Sequence, residues 1–321
     1  MSSPHNASEL VIPVDCDSSF NSFHEILIYI GTVLYMGIGL YLHFSIMFVV
    51  LVTEKSSYKS SSFFKIFILD SIFSVLIILT ELLFIRLFIY TPPLCEIVSE
   101  FFSTPSLIPK MVYITANYGR FGKSLTQIVM VLNRMSCVLM PVSYSKTWKT
   151  LLPICYILVF TLPFGGLWNL IISRHYLEQN RGGFMITYFK AVKWAALSLF
   201  QSIYTLTALF FTITCTSITL YKLIFLPNRI KSAEKSLCLS SVLVSGVFVV
   251  LAASQFSFLL CSACDTKYYD HLILFQGLAF DAFSVGTAVI LILTNSQIRK
   301  SIFAVDKANK EDRVFTLSVQ L

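Results

Sequence analysis

Residues 111–140 read MVYITANYGRFGKSLTQIVMVLNRMSCVLM, and the organisation of the whole chain depends on whether this segment is a helix. The segment is rich in apolar residues, but it also contains Asn117, Arg120, Lys123, Ser124, Gln127, Asn133 and Arg134. Hydropathy alone is therefore compatible with a helix that crosses a membrane or with a long loop. Since the two alternatives place every later segment on opposite sides, the rest of the chain can decide between them.

The composition identifies the solvent that surrounds this segment. Of the 321 residues, 56% are apolar and 13% are charged, and the mean hydropathy is +0.76. A soluble domain carries about 25% charged residues. The chain also has 29 Phe and 15 Tyr, more apolar side chain than a water-soluble fold of this length can bury. The composition excludes a large soluble enzyme and predicts a polytopic membrane protein.

Six other segments are long and apolar enough to cross a membrane, which takes about 20 residues of helix. They are Ile26–Val52, Phe63–Tyr90, Leu151–Ile172, Trp194–Phe225, Leu237–Cys261 and Leu272–Leu293.

The distribution of Lys and Arg favours a seventh crossing by residues 111–140. With seven spans and the N-terminus outside, fifteen Lys and Arg lie on the inner side, seven lie on the outer side, and Arg120 and Lys123 lie within the bilayer. This agrees with the positive-inside rule. Without the seventh span, the basic loop 226–236 and the basic C-terminal tail would lie outside. The sequence thus predicts an all-α membrane protein, a seven-transmembrane helix bundle with its N-terminus outside and its C-terminus inside.

The spacing of the polar residues in 111–140 also indicates a helix. Asn117, Arg120, Ser124, Gln127, Val131 and Arg134 are separated by 3, 4, 3, 4 and 3 residues, which places them on one helical face. Such a stripe is tolerated in a membrane when it faces other helices. We therefore expect this third helix to lie in the centre of the bundle.

Three regions follow from this topology: an extracellular segment of residues 1–25, a receptor-like domain of residues 26–296, and a cytoplasmic tail of residues 297–321. Ile298, Ile302 and Val305 recur at helical spacing beside Arg299 and Lys300. This pattern predicts a short amphipathic helix on the inner leaflet.

The outer side contains two kinds of candidate modification site. Asn6 begins a glycosylation sequon, Asn6-Ala7-Ser8, which is usable only on the lumenal side. Disulfides can form among the outer cysteines, which are Cys16, Cys95, Cys261 and Cys264. A Cys16–Cys95 bond would join the N-terminal segment to the first outer loop. Cys261 and Cys264 have no partner pair of His or Cys, and we expect neither a metal site nor a cofactor.

Three acidic and three basic residues in helices two, three and seven are candidates for pairing within the membrane: Asp70, Glu81, Asp281, Arg120, Lys123 and Arg134. Each unpaired charge costs about 2.5 to 3.5 kcal/mol at mid-membrane, so opposite charges at equal depth should pair. At about 1.5 Å per residue, Glu81, Arg120 and Asp281 lie on the order of 10 Å below the outer boundary, whereas Asp70 and Arg134 lie toward the inner side. These pairs either hold the helices in register or change partner when the protein switches state.

Three motifs carry a resemblance to a known family: FFKIFILDSIFS at residues 63–74, NRMSCVLMPVSYSKTW at 133–148 and LTNSQIRKSIF at 293–303. The chain resembles the nematode serpentine receptor class gamma (Srg) family over most of its length. That family is regarded as chemoreceptors of sensory neurons. The resemblance implies a multi-pass receptor of the plasma membrane, in sensory cilia, that couples a small-molecule ligand to a heterotrimeric G protein. It also implies that Asn133, Arg134, Tyr144 and Trp148 take part in coupling.

The third-helix motif differs from that of rhodopsin-like receptors, which carry Asp or Glu immediately before the arginine. Here the residue is Asn133, so a carboxylate partner for Arg134 must come from another helix, with Asp70 as one candidate. Arg134 is expected at the inner boundary, where its guanidinium can reach water. The alternative is that Arg134 is only a snorkelling anchor.

The ligand site is expected to open outward between helices three, five, six and seven. Its candidate residues are Tyr113, Asn117, Arg120, Gln201, Tyr204, Gln255, Gln276 and Asp281. The second outer loop is basic, which favours an acidic or polar ligand. The simpler interpretation of these basic residues is that they are solvated loop charges that contact lipid headgroups.

Other classes of membrane protein remain as alternatives. Residues 272–296 contain no lysine for a retinal Schiff base, which excludes a photopigment. A transporter or a ligand-gated channel is the alternative function. No catalytic constellation is visible, so we expect no enzyme, and nothing indicates a nucleic-acid partner.

Overall fold

The computed structural model describes residues 16, 19–53, 58, 61–102, 107–180, 182–225, 232–260 and 266–303. Most of these residues belong to seven long helices. They are α1 (Ser22–Phe48), α2 (Ser62–Thr80), α3 (Leu107–Leu139), α4 (Tyr144–Ile172), α5 (Leu197–Phe225), α6 (Ser232–Leu260) and α7 (Thr266–Thr294). α1 continues as a π-helical turn over Val49–Thr53, and α2 continues through a π-helical segment, Glu81–Arg86, and an α-helical turn, Leu87–Tyr90.

Six of these helices are long and apolar enough to span a membrane, namely all of them except α3. This confirms the six predicted spans. Residues 111–139 form the predicted helix, within the 33 residues of α3. The helix ends at Leu139 because Pro141 disfavours a helical conformation of the residue before it.

α3 occupies the centre of the bundle. It packs against α2, α4, α5 and α6, and its polar stripe is buried against them. Asn117 and Gln127 are each 1% exposed and Asn133 is 0% exposed. The polar residues that make α3 too hydrophilic for a lone span are therefore those that its neighbours cover.

A β-hairpin connects α4 to α5, an element that the sequence analysis did not predict. Strands β1 (Arg174–Asn180) and β2 (Gly183–Phe189) pair antiparallel, with Asn180 opposite Gly183. Part of the signal was present, since glycines at 182 and 183 precede residues 184–189, FMITYF, which are rich in strand-forming residues. Gly183 allows the hairpin to approach the end of α2, because a Cβ there would lie 1.9 Å from the Phe88 carbonyl oxygen.

A disulfide bond joins Cys16 to Cys95. Cys95 lies at the start of a short helix, Cys95–Phe102, and packs in one apolar cluster with Val112 of α3 and Leu177 and Phe184 of the hairpin. The cluster ties the segment before α1 to the same end of the bundle as the hairpin. Asn6, Cys261 and Cys264 lie outside the described residues.

A further helix over residues 296–303 follows α7, and the Asn295 side chain caps it by accepting from the Gln297 and Ile298 amides. Ile298 is 0% exposed and Ile302 is 4% exposed, and both belong to the apolar cluster that includes Phe63 and Phe64 of α2. These two isoleucines therefore cover the end of the bundle, and the position of their helix on the inner leaflet stays a prediction. Val305 lies outside the described residues.

We expect Gly122→Ala to destabilise the bundle, because α2 and α3 approach closely at this residue. An alanine Cβ would lie 2.3 to 2.6 Å from three ring atoms of Phe73, which is itself 1% exposed. Overpacking of this kind costs about 1 to 3 kcal/mol. Gly37→Ala is the matched control, since its Cβ meets nothing within 4 Å and alanine favours helix by about 1 kcal/mol. Thermal unfolding of the purified protein in detergent should give a lower midpoint for Gly122→Ala alone; equal midpoints would contradict this close packing.

Candidate functional site

A cavity of about 440 Å³ opens between α3, α5, α6, α7, the end of α2 and strand β2. This volume lies within the range of about 300 to 1,000 Å³ that small-molecule sites occupy. Six of the eight predicted ligand-binding residues line it: Tyr113, Asn117, Arg120, Gln201, Gln255 and Gln276. The structure thus brings residues from four helices to one site.

The other two predicted residues lie outside the cavity wall. The Tyr204 hydroxyl donates to the Leu162 carbonyl at 2.5 Å, and its ring packs on Phe121. Asp281 is 4% exposed and is occupied by partners on α1 and α2. Both residues hold helices together instead of facing the open volume.

Two amide side chains connect α3 to α5 in the cavity wall. Gln201 donates through Nε2 to Asn117 Oδ1 at 2.9 Å, and Asn117 donates through Nδ2 to the Tyr113 carbonyl at 2.8 Å. This chain of hydrogen bonds fixes the orientation of the Asn117 amide, so that the wall here is preorganised.

A network of buried charges forms the cavity wall on the side of α2. Arg120 donates to Glu81 Oε1 at 2.5 Å, and Glu81 Oε2 also lies 3.5 Å from Arg86 Nε. Arg86 donates through Nη2 to Asp281 Oδ2 at 2.6 Å and through Nη1 to the Tyr35 hydroxyl at 3.0 Å. Tyr35 donates in turn to Asp281. The network joins α1, α2, α3 and α7.

Arg86 is the residue of this network that the sequence analysis missed, because it is one of the seven Lys and Arg assigned to the outer side. Its side chain is 11% exposed. In a regular α-helix, residues five apart point about 140° away from each other, at about 100° per residue. The π-helical segment Glu81–Arg86 reduces this difference because its hydrogen bonds connect residues five apart. The pattern of apolar residues carries no signal for such a turn.

A second ion pair lies deeper in the bundle, between α3 and α2. Lys123 Nζ donates to both Asp70 oxygens, at 3.0 and 2.9 Å, and to Ser74 Oγ at 2.7 Å. The Lys123 and Asp70 side chains are 1% and 0% exposed, and Thr126 donates to Asp70 at 3.1 Å. The hypothesis that Asp70 restrains Arg134 is therefore wrong for this conformation, since Lys123 and Thr126 occupy both carboxylate oxygens.

Arg134 lies at the other end of α3, among neutral partners. It donates through Nη2 to Asn133 Oδ1 at 2.7 Å and to the Tyr144 hydroxyl at 3.4 Å, and its guanidinium lies 4.1 Å from the centre of the Phe63 ring. Arg134 is 3% exposed, so the expectation that it reaches water at the boundary is also wrong. The side chains packed at this end of α3 cover the Arg134 guanidinium.

The neighbouring motif residues complete a hydrogen-bonded cluster at this end. Tyr144 donates to Asn133 Oδ1 at 3.1 Å, and Asn133 donates to Ser62 Oγ at 2.9 Å. Trp148 bonds instead to Ser136 Oγ, at 2.6 Å. The cluster joins α2, α3 and α4 without a carboxylate.

The hairpin beside the cavity carries positive charge that does not depend on its histidine. Burial, followed by the charge of Lys110, lowers the pKa of His175 to about 4, so that its ring is neutral near pH 7. The ring packs against Tyr113 and Tyr188. Lys190, which follows β2, lines the cavity.

Among the described residues, no group of three or more His, Cys, Asp or Glu could hold a metal ion.

Comparison with known proteins agrees with this architecture. The model of the Srg family chemoreceptors matches residues 29–302. Serpentine receptor class gamma-15 of Caenorhabditis elegans is 49% identical over 304 residues, which are 94% of each chain. Serpentine receptor class gamma-17 of the same organism is 46% identical over 292 residues, which are 91% of this chain and 90% of that protein. The chain is a multi-pass membrane protein with chemoreceptor function, and it belongs to the Srg family.

Proposed function

We propose that this protein is a G-protein-coupled chemoreceptor of the plasma membrane that binds a small organic molecule in the 440 Å³ cavity. The observation that carries the proposal is the position of α3. One end of this helix contributes Tyr113, Asn117 and Arg120 to the cavity, and its other end carries the buried cluster around Arg134. At about 1.5 Å per residue, the fourteen residue steps from Arg120 to Arg134 span about 21 Å.

α3 serves as the seventh span in this proposal. Its 33 residues are about 50 Å long at 1.5 Å per residue, which exceeds a hydrocarbon core of about 30 Å. Burial of its polar side chains supports a transmembrane position, because a polar face is tolerated where other helices cover it. The cavity then opens outward and the Arg134 cluster faces the cytoplasm.

Coupling requires that the inner cluster open when the cavity is filled. Arg134 is held by an amide, a phenol and an aromatic ring, none of which carries a charge, and a hydrogen bond between a charged and a neutral group contributes about 1.5 to 3 kcal/mol. A modest displacement of α3 against α2 or α4 would release the guanidinium to a G-protein helix. By family resemblance, the sensory cilium is the proposed location.

The test is ligand-evoked G-protein activation in a heterologous cell line that expresses the receptor at its surface. The probe is a panel of small organic acids, amines, alcohols and sugars, applied to cells with and without the receptor. A receptor-dependent response to any class supports the proposal. Receptor-dependent currents or uptake without G-protein activation would support the channel or transporter instead.

We expect the N-terminus, with Asn6, to be accessible on intact cells and the tail after Asn295 to be accessible only after permeabilisation. This follows from the excess of Lys and Arg on the proposed inner side, fifteen against seven, under the positive-inside rule. Epitope tags at the two ends, stained with and without detergent, measure it. A tail that stains on intact cells would contradict the seven-span topology, and also the segment boundaries 1–25, 26–296 and 297–321 that follow from it.

A further inference from the structure

We infer that the ligand of this receptor is a small organic anion, bound through its carboxylate by Arg120 in competition with Glu81. The inference rests on the proposed function and names the ligand class of that site. Its basis is the set of hydrogen-bond donors that remain without acceptors in the cavity wall.

The cavity wall has more positive than negative charge. Arg86, Arg120 and Lys190 line it, against Glu81 alone. Asp281, which lies behind the wall, compensates Arg86 at 2.6 Å, and Glu81 compensates Arg120, so that the one net positive charge around the open volume is that of the exposed Lys190. A positive charge at the cavity favours the entry of an anion.

The Arg120 guanidinium has a hydrogen-bond donor without an acceptor, which indicates that the ligand group bound there is an acceptor. Only Nη2 of its guanidinium bonds to Glu81, and Nε is buried without an acceptor among the described residues. A guanidinium nitrogen can donate but cannot accept. A carboxylate fits this edge because it can accept two parallel hydrogen bonds from one guanidinium.

Gln255 supplies a second unsatisfied group in the cavity wall. It lines the volume from α6, is 6% exposed, and its Nε2 atom is buried without an acceptor among the described residues. A buried amide without a partner is costly, and a ligand with a second hydrogen-bond acceptor besides its carboxylate would satisfy it. Ile85, Leu274 and Phe280 line the same volume, so the body of the ligand is apolar.

The ion-pair geometry also shows how such an anion would change the protein. Glu81 lies between two arginines, with one oxygen on Arg120 and the other 3.5 Å from Arg86. If a ligand carboxylate takes Arg120, Glu81 keeps Arg86, which it shares with Asp281, and Lys190 at the cavity balances the added negative charge. The bridge between α3 and α2 is then exchanged for a bridge between α3 and the ligand. Binding therefore removes one ion pair between α3 and α2.

The test uses the full-length receptor in lipid nanodiscs and measures thermal stabilisation by aliphatic and hydroxylated carboxylic acids. Each acid is compared with its methyl ester and with the amine of the same body. We expect acids to bind, and the matched esters and amines to bind on the order of 100-fold more weakly, since removing one partner of a buried charge pair costs this much or more. Stabilisation by esters or amines at the same concentration as by acids would overturn the inference.

Variants locate the binding to this cavity. Arg120→Gln alone leaves Glu81 with one arginine fewer, so the charge-balanced variant Glu81→Gln with Arg120→Gln is tested beside it. We expect the double variant to fold and to bind acid and ester equally. Retention of acid selectivity by the folded double variant would place the anion elsewhere and overturn the inference.

Two single variants refine the site. Gln255→Leu removes the unsatisfied amide, and we expect it to keep the fold and to weaken acid binding about tenfold. Lys190→Gln should weaken acid binding a few-fold by lowering the potential at the cavity. Lys193→Gln is its matched control, because Lys193 is exposed and is not part of the cavity wall. Equal effects of the two lysine variants, together with no effect of Gln255→Leu, would count against the cavity.

The binding measurement separates this inference from the proposed function. Acid-selective, Arg120-dependent stabilisation without G-protein activation would leave the ligand class standing and remove the signalling proposal. G-protein activation by neutral or cationic compounds alone would do the reverse. If no acid stabilises the receptor, the inference is wrong whatever the signalling assay gives.

Discussion

Lys123→Met is expected to remove most of the folded receptor from a detergent extract, because it leaves the Asp70 carboxylate buried without its cation. Lys123 and Asp70 are 1% and 0% exposed at their side chains, and loss of one partner of such a pair costs about 3 to 5 kcal/mol. This is a large part of a typical stability of about 5 to 15 kcal/mol. The measurement is the fraction of receptor that elutes as a single species in size-exclusion chromatography, with its unfolding midpoint.

The double variant Lys123→Met with Asp70→Asn distinguishes charge pairing from packing. It removes both charges while keeping the shape of the site, so we expect it to recover much of the folded fraction. Ser74→Ala is the matched control, since it removes one neutral acceptor of the same ammonium and should cost about 1 kcal/mol. A Lys123→Met protein with the wild-type midpoint would mean that the pair does not hold α3 to α2.

Arg134→Ala is expected to abolish G-protein activation while surface level and ligand binding change little. The arginine is bound by Asn133 and Tyr144, which also bond to each other at 3.1 Å, so its removal leaves neither side chain without a partner. Arg134→Lys should restore activity only in part, because an ammonium lacks the planar fork that engages two acceptors. The assay is ligand-evoked nucleotide exchange on a G protein at matched receptor levels.

Changes in the partners of Arg134 should move the resting activity in opposite directions. Tyr144→Phe removes one acceptor of the guanidinium and the bond to Asn133, so we expect higher basal exchange. Asn133→Asp places a carboxylate 2.7 Å from the Arg134 nitrogen and adds the attraction of two opposite charges, which is stronger in a buried site than in water, so basal and evoked exchange should fall. Normal signalling by Arg134→Ala would show that the arginine only packs this end of the bundle.

The depth of a charged residue along its helix did not suffice to predict its partner. Position in the sequence gives the depth of a residue, and it placed Glu81 and Arg120 at one level and Asp70 and Arg134 at another. Depth does not give the direction in which a side chain leaves its helix. Lys123 reaches Asp70 at 2.9 Å, and Arg134 turns instead to Asn133 and the Phe63 ring.

Local backbone irregularity accounts for the other residue that was misplaced. The π-helical turn in α2 rotates Arg86 inward to Asp281 and Tyr35. The turn is retained because it satisfies two buried carboxylates, those of Glu81 and Asp281, with one guanidinium. The partners of Arg86 outside α2 lie on α1 and α7. The sequence of residues 81–86 therefore does not by itself predict the π-helical turn.

The sequence by itself determined the solvent, six of the spans, the helicity of residues 111–140 and the family. Each of these depends on composition, on local periodicity or on motifs that are continuous in the chain, and burial of the polar stripe of α3 follows from the same periodicity. The tertiary structure decided which charges pair, that Ile298 and Ile302 cover the bundle, and that Tyr204 and Asp281 stay out of the cavity. These outcomes depend on the rotation of each helix about its axis, which is set by the side chains of other helices.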